Sequence, residues 1–271
     1  MTADTGTHTR IATLWGVPEG YDALLLARRA REHKGPVLHV ARSDAAMVRL
    51  AELLAFVAAD IEILRFPAWD CLPYDRVSPN PTLVAERVAT LTRLLEPASG
   101  KPRLVLTTIN AAVQRVAPRR TFEGQSLTIK TGESLDQALL IDLLVANGYT
   151  RTDTVMEAGE FATRGGIFDL YPAGAPEPVR LDLFGEEVEN IRAFDPGTQR
   201  STEKRDSLVL CPVSEFSLAA DSIARFRTGW RDAFGPAAAS EPLDEHVSDG
   251  RRHPGLEHRL PLFHAHLENP L

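Results

Sequence analysis

Arg180, Asp182 and Phe184 occupy alternate positions of the run VRLDLFGEEVE, and their types suit recognition better than catalysis. In an extended strand, residues two apart project from one face, so the three form a polar and aromatic stripe. Arginine offers a planar fork of donors matched to a carboxylate, and an aromatic ring offers area to bury, which is the composition of an interface hot spot. The turn that follows, Gly185-Glu186-Glu187, adds acidic side chains suited to a basic patch on a partner. On pattern alone a second reading stays open. Arg164 and Arg180 can pair at home with Glu160, Asp182 or Glu186, each exposed pair contributing about 0–1 kcal/mol, and Phe184 can enter the core.

Other chemistries find less support. Gly16-Val17-Pro18-Glu19-Gly20-Tyr21-Asp22 stands where a phosphate-binding loop would precede the first helix, but it lacks the lysine and the hydroxyl that such a loop uses. Glu19 and Asp22 would repel phosphate there. Gly100-Lys101 is followed by Pro102, has no glycine at the required upstream spacing, and reads as a surface loop. His253, His258, His264 and His266 show no recognisable metal spacing and read as a loop cluster. There is no G-x-S-x-G elbow, and no Cys–His pairing stands out. No catalytic residue, bound cofactor or metal is expected of this chain. Trp69 and Tyr74 lie among Asp70, Asp75, Pro67 and Pro73, a setting for packing at a sheet edge rather than for base stacking.

Composition agrees with a folded binding module. The 271 residues are 44% hydrophobic and 25% charged, enough for one large or two ordinary domains. A formal net charge of -7 argues against a broad electrostatic grip on nucleic-acid phosphates. Cys71 and Cys211 are the only cysteines and are far apart, which suggests neither a disulfide framework nor a thiolate metal site. A reducing cytoplasm is the expected location. No signal pattern and no bilayer-length apolar run is present, so no membrane partner is expected, and a monomer is.

The elements that would position these residues fall into three segments. In residues 1–118, strand-like runs at Arg10–Trp15, Val37–Ala41, Ile61–Phe66 and Arg103–Thr108 alternate with helical runs near Tyr21–Glu32, Ala45–Val57 and Thr82–Leu95. That alternation predicts an α/β unit with a mainly parallel sheet. Residues 119–212 predict a smaller α+β domain: a strand at Ser126–Lys130, a helix over Ser134–Asn147 with Ser134 as its N-cap and Gly148 as its C′ glycine, then short strands from Thr150 to Leu210. Phe194-Asp195-Pro196-Gly197-Thr198-Gln199-Arg200 reads as a turn between two of them. Residues 213–271 read as a partial third domain: a helix at Ala219–Phe234, a loose stretch over Gly235–Pro254, and a strand-like LPLF at Leu260–Phe263. Left without the rest of its domain, the stretch Gly235–Leu271 is expected to be disordered or association-prone.

Four stretches carry a family resemblance: FPAWDCLPYDRVSPNPTLVAERVATLTRLL, TTINAAVQRVAPR, GEFATRGGIFDLYP and GLEHRLPLFHAHLENPL. In this order the chain resembles the amino-terminal part of the bacterial transcription-repair coupling factors, and more loosely the excision-nuclease subunit UvrB. The resemblance implies a degenerate P-loop-type parallel sheet domain, then a domain that binds the damage-recognition ATPase UvrA, then part of a third domain in a fragment of a longer protein. Arg164, Arg180 and Phe184 match the arginine and aromatic positions through which that family binds UvrA. For the full-length family it also implies an ATP- and magnesium-dependent motor, with RNA polymerase and double-stranded DNA as partners of later domains. A carboxy-terminal domain masks the UvrA-binding face in the resting family member, so a fragment without that mask is expected to bind UvrA constitutively. The alternative is a UvrB-type ATP-dependent DNA-damage verification subunit, which would need a relaxed phosphate loop at Gly16–Gly20 and a tyrosine-rich hairpin where this chain has only Tyr74-Asp75-Arg76-Val77-Ser78-Pro79.

Overall fold

Leu104, Val105 and Leu106 form an unbroken apolar run, the signature of a strand covered on both faces. In the computed structural model, which describes residues 13–72, 75–97, 100–235 and 241–270, that run lies in β3 (Arg103–Thr108), buried along its whole length. It is the middle of a three-stranded parallel sheet, between β1 (Val37–Ala41) and β2 (Glu62–Phe66). Helices α1 (Tyr21–Glu32) and α2 (Asp44–Val57) cover one face through Ala23, Ala27, Leu50 and Leu54. Ser43 caps α2 by accepting from the Ala46 amide. On the other face, Leu64, Phe66 and Val105 meet Leu91 and Leu94 of α3 (Pro81–Leu95) and Ala111 of the short α4 (Ile109–Ala112). Asn80 caps α3, and Pro81 sits in its first turn, where a missing N–H costs nothing.

The second core is built by period-two alternation. Six strands form a sheet in the order β10-β9-β8-β7-β6-β5, comprising β5 (Thr150–Arg151), β6 (Glu160–Arg164), β7 (Ile167–Leu170), β8 (Val179–Phe184), β9 (Glu187–Phe194) and β10 (Ser201–Arg205). All neighbours are antiparallel except β5 and β6. Phe161, Phe168, Leu170, Val179, Leu181, Val188 and Ile191 turn inward onto α5 (Gln137–Ala146) and onto the antiparallel pair β4 (Leu127–Lys130) and β11 (Ser207–Leu210). Ala85 and Ala89 of α3 belong to this core too, so one helix serves both sheets.

Around the third core the structure corrects several expectations. Leu260–Phe263 is a short helix, α8, not a strand; Pro261 has no N–H for a ladder and fits a first helical turn. The stretch expected to be loose contains α7 (Pro242–Ser248), which begins with another proline in its first turn. With α6 (Ala220–Phe234) these helices enclose Phe216, Phe226, Trp230, Val247, Leu256, Leu260 and Phe263, so the described part of Gly235–Leu271 is packed. Phe216 stacks on Phe263 with centroids 4.6 Å apart. The N-cap of α5 is Asp136, whose Oδ1 accepts from Ala138 and Leu139, rather than Ser134, which makes a bridge to Glu187. Thr13–Trp15 is not a strand, and the remainder of the expected Arg10–Trp15 strand lies outside the described residues, as does Tyr74.

A buried ion pair joins the cores. Arg87 of α3, fully buried, donates from Nε to Oε1 of Glu215 at 3.1 Å and from Nη1 to the Pro67 carbonyl at 2.7 Å and to Gln114 Oε1 at 3.1 Å. Its guanidinium lies 4.3 Å from the Phe66 ring centroid. Glu215 Oε2 and Arg87 Nη2, the other half of the fork, have no partner. The Glu215 carbonyl meanwhile accepts from His264 Nε2 at 2.8 Å, tying the segment after β11 to the third core as well.

Candidate functional site

The outward face of the larger sheet carries the residues singled out above. In β8, Arg180, Asp182 and Phe184 alternate with the inward Val179, Leu181 and Leu183. Cross-strand register sets their neighbours: Arg180 lies opposite Asp169 on one side and Arg192 on the other, while Asp182 lies opposite Ile167 and Asn190. Arg164 is opposite Ile167, at the end of β6.

The two ends of this stripe differ. Arg180 makes a two-pronged ion pair with Asp169, Nε to Oδ1 at 2.6 Å and Nη2 to Oδ2 at 2.9 Å. Asp169 is buried and the Arg180 side chain is only 21% exposed. The Arg180 guanidinium also lies 5.0 Å from the Phe194 centroid, above a small outer cluster of Val155, Ala162 and Phe194. The hydrogen-bonded Asp169 carboxylate raises the Arg180 pKa further, so this charge is permanent. The loop after β9 closes this end: Asp195 Oδ1 accepts from the Thr198 amide, and Gln199, at φ 60°, donates from Nε2 to the Val155 carbonyl.

At the other end the side chains are open. Phe184 is 81% exposed and Ile167 41%, both large apolar groups facing solvent. Arg164 donates from Nη2 to the Asp153 carbonyl at 2.5 Å, a contact that orients the guanidinium without neutralising it. Asp182 is paired with Arg192. Gly165 and Gly166 form the β6–β7 turn; a Cβ on Gly166 would lie 2.5 Å from the Leu183 carbonyl oxygen, so only glycine lets the turn close on β8. Gly185, at φ +65°, makes the β8–β9 turn, its carbonyl accepts from Gln137, and the next residue, Glu186, is exposed and accepts from the Leu135 amide through its backbone.

Arg164, Asp182, Phe184 and Glu186 thus gather at one rim of the sheet, and Arg180 sits deeper on the same face. The home partner of Arg180 is Asp169, not Glu160, Asp182 or Glu186. Sequence reasoning missed Asp169 as that partner, and missed Arg192 and Ile167 at the rim. Asp169 carried one usable signal: it is the lone charge in the apolar strand IFDL, and a charge there needs a partner.

The other candidates are accounted for locally. Gly20, at φ 83°, starts α1 with no side-chain cap; Glu19 lies 3.4 Å from Arg49, and Asp22 accepts from the Ala23 amide. Lys101 sits in the bend before β3. His258 is buried, 3.1 Å from the Val77 carbonyl and 3.7 Å from Cys71 Sγ, with its ring edge-on to Trp69. Burial and the nearby Asp70, Asp75 and Glu257 raise the Cys71 pKa, keeping that thiol protonated and a poor nucleophile. Among the described residues no group of three or more His, Cys, Asp or Glu is arranged to hold a metal ion. No described helix is long and apolar enough to cross a membrane.

Comparison with known proteins bears on the same region. The family model described as UvrB interaction domain matches residues 127–216, the segment that forms the second core and its outward face. Over 92% of its length the chain is 34% identical to the transcription-repair-coupling factor of Escherichia coli K12, and over 94% it is 32% identical to that of Haemophilus influenzae. A Staphylococcus aureus transcription-repair-coupling factor is 31% identical over 68% of the chain. These matches span 21%, 22% and 15% of the respective relatives.

Proposed function

The chain belongs to the transcription-repair-coupling factor family, of whose matched members it spans about a fifth, and from that premise we propose that it is the module that recruits UvrA in transcription-coupled excision repair. The observation that carries this reading is Phe184, an aromatic side chain left open to solvent at the end of the strand that carries the Asp182–Arg192 pair, inside the segment matched by the UvrB interaction domain. An exposed aromatic ring beside charged side chains gains buried area on meeting a partner, and aromatic and arginine anchors of this kind dominate interface energies. Arg164, Phe184, Asp182 and Glu186 form the contact rim in this reading. Arg180 holds the sheet behind the rim and supplies charge.

The first unit is then a nucleotide-binding scaffold without nucleotide chemistry of its own. Glu19 beside Arg49, and Asp22 in the first turn of α1, support that reading, because both put negative charge where phosphates would lie. In the whole protein, an ATP-driven translocase acting on double-stranded DNA and RNA polymerase would lie outside this stretch. Titration calorimetry with purified UvrA tests the proposal. Binding by the wild-type chain that is lost in Phe184→Ala and Arg164→Glu supports it. Wild-type binding that both variants retain moves the surface elsewhere, and stabilisation of the chain by ATP with magnesium would restore the nucleotide-binding alternative.

A further inference from the structure

Away from that face, a cleft of about 450 Å³ opens between the turn at Arg119–Thr121, the end of α5 and the first turn of α6. Arg120 and Arg225 reach it from different elements, and neither guanidinium has an ion-pair or hydrogen-bond partner among the described residues. Both are exposed, and both act on His264, which lines the same cleft: their positive charge adds to burial in lowering its pKa. The cleft therefore gathers two permanent cations and a third group that can become one. Asp221 is the carboxylate that opposes them.

The donors around these charges are unspent. The N-cap of α6 is Ala219, whose side chain cannot cap the helix, so the first-turn amides have no side-chain acceptor. Ser214 is buried and accepts from the Phe216 amide, and Ser217 accepts from the Ala219 amide. A hydroxyl that accepts from the backbone still has its own proton to donate. Guanidinium forks, hydroxyls and free helix-start amides together offer more donors than the two oxygens of a carboxylate can take. A phosphoryl group, with three terminal oxygens and up to two charges, matches both the number and the sign.

We propose that this cleft binds a phosphate monoester group, held by Arg120, Arg225 and the start of α6. The bound group lies where the second and third cores meet, and so clamps that junction. It is distinct from the UvrA-recruiting face and does not depend on it. The groups facing His264 are Arg120, Arg225, Glu215 and Asp221; adding an anion beside them favours the imidazolium, so a bound phosphate raises the His264 pKa.

The test uses inorganic phosphate as the probe, against sodium chloride at matched ionic strength, with thermal unfolding and the NMR titration of His264 as readouts. The expected result is a phosphate-specific rise in melting temperature and an upward shift of the His264 pKa. Both are lost in Arg120→Gln and Arg225→Gln and kept in Arg227→Gln, a neighbouring exposed change on α6. A short single strand with and without a 5′-phosphate separates sources: tighter binding of the phosphorylated strand than of free phosphate assigns a nucleic-acid end, and equal binding assigns a small phosphate. An unchanged His264 titration in the wild-type chain, or an equal thermal shift in all three variants, overturns the proposal. Because the NMR readout is made on the wild-type chain, it stands even where a variant folds poorly.

Discussion

Two arginine–carboxylate pairs, Arg87–Glu215 and Arg180–Asp169, use the same chemistry in opposite settings. The first is sealed between cores and leaves half its fork unpaired; the second lies at a sheet surface and closes both prongs. A few residues from the second pair, Arg164 and Phe184 stay open. The contrast separates three jobs for similar side chains: joining cores, stiffening a sheet, and meeting a partner. Only the last leaves free energy unspent until binding.

The hardest way to break the comparison is at the buried pair. Glu215→Ala leaves the Arg87 charge in the interior without a counter-ion, and should cost about 3–5 kcal/mol in urea unfolding. The double change Arg87→Met with Glu215→Leu should recover most of that loss, because a buried pair replaced by apolar groups is often neutral. A double variant as unstable as the single one would show that the other Arg87 hydrogen bonds carry the junction.

At the open rim the effect should fall on binding alone. Phe184→Ala is expected to weaken UvrA binding by about 2 kcal/mol or more, as hot-spot aromatics do, while changing stability by less than about 0.5 kcal/mol. Calorimetry and urea unfolding on one preparation decide this, and a large stability loss would mean that the ring packs at home. Asp169→Asn should fall between the two. It removes the carboxylate from Arg180 and should cost about 1–3 kcal/mol of stability, with a smaller loss of UvrA affinity through the loosened strand pair.

The smallest expected effect is a pH dependence of the second core. Burial raises the Cys211 pKa from 9.0 to about 11, and Tyr149, whose hydroxyl donates to the Cys211 carbonyl, is raised further still. Both folded-state pKa values lie above the unfolded ones. The Cys211 contribution is therefore fully present below about pH 9 and lost as pH rises through about 11, and that of Tyr149 is lost at higher pH still. Melting temperature followed from neutral to alkaline pH should decline in that window, and Cys211→Ala should flatten part of the decline. An unaltered slope would assign it to other groups.

Much of this was legible in the chain. The alternation of apolar and polar residues in VRLDLF placed Arg180, Asp182 and Phe184 on one face, as the strand has them. The parallel first sheet and the Gly148 stop at φ 92° followed from equally local signals. The errors were also local. LPLF has the apolar composition of a strand, but Pro261 fits a first helical turn and the aromatic cluster around Phe216 and Phe226 rewards its folding as a helix. Asp136 outcompeted Ser134 as a cap because its carboxylate reaches two amides at once.

What the sequence by itself determined is which side chains share a face and where turns must fall, since these depend on backbone geometry over a few residues. Tertiary structure alone decided which charges are spent. Asp169 meets Arg180 through strand register 11 positions away, and Glu215 meets Arg87 across 128. Ion pairing falls off steeply with distance and with exposure to water, so whether an arginine is locked in place or left for a partner is settled by the path that brings distant segments together.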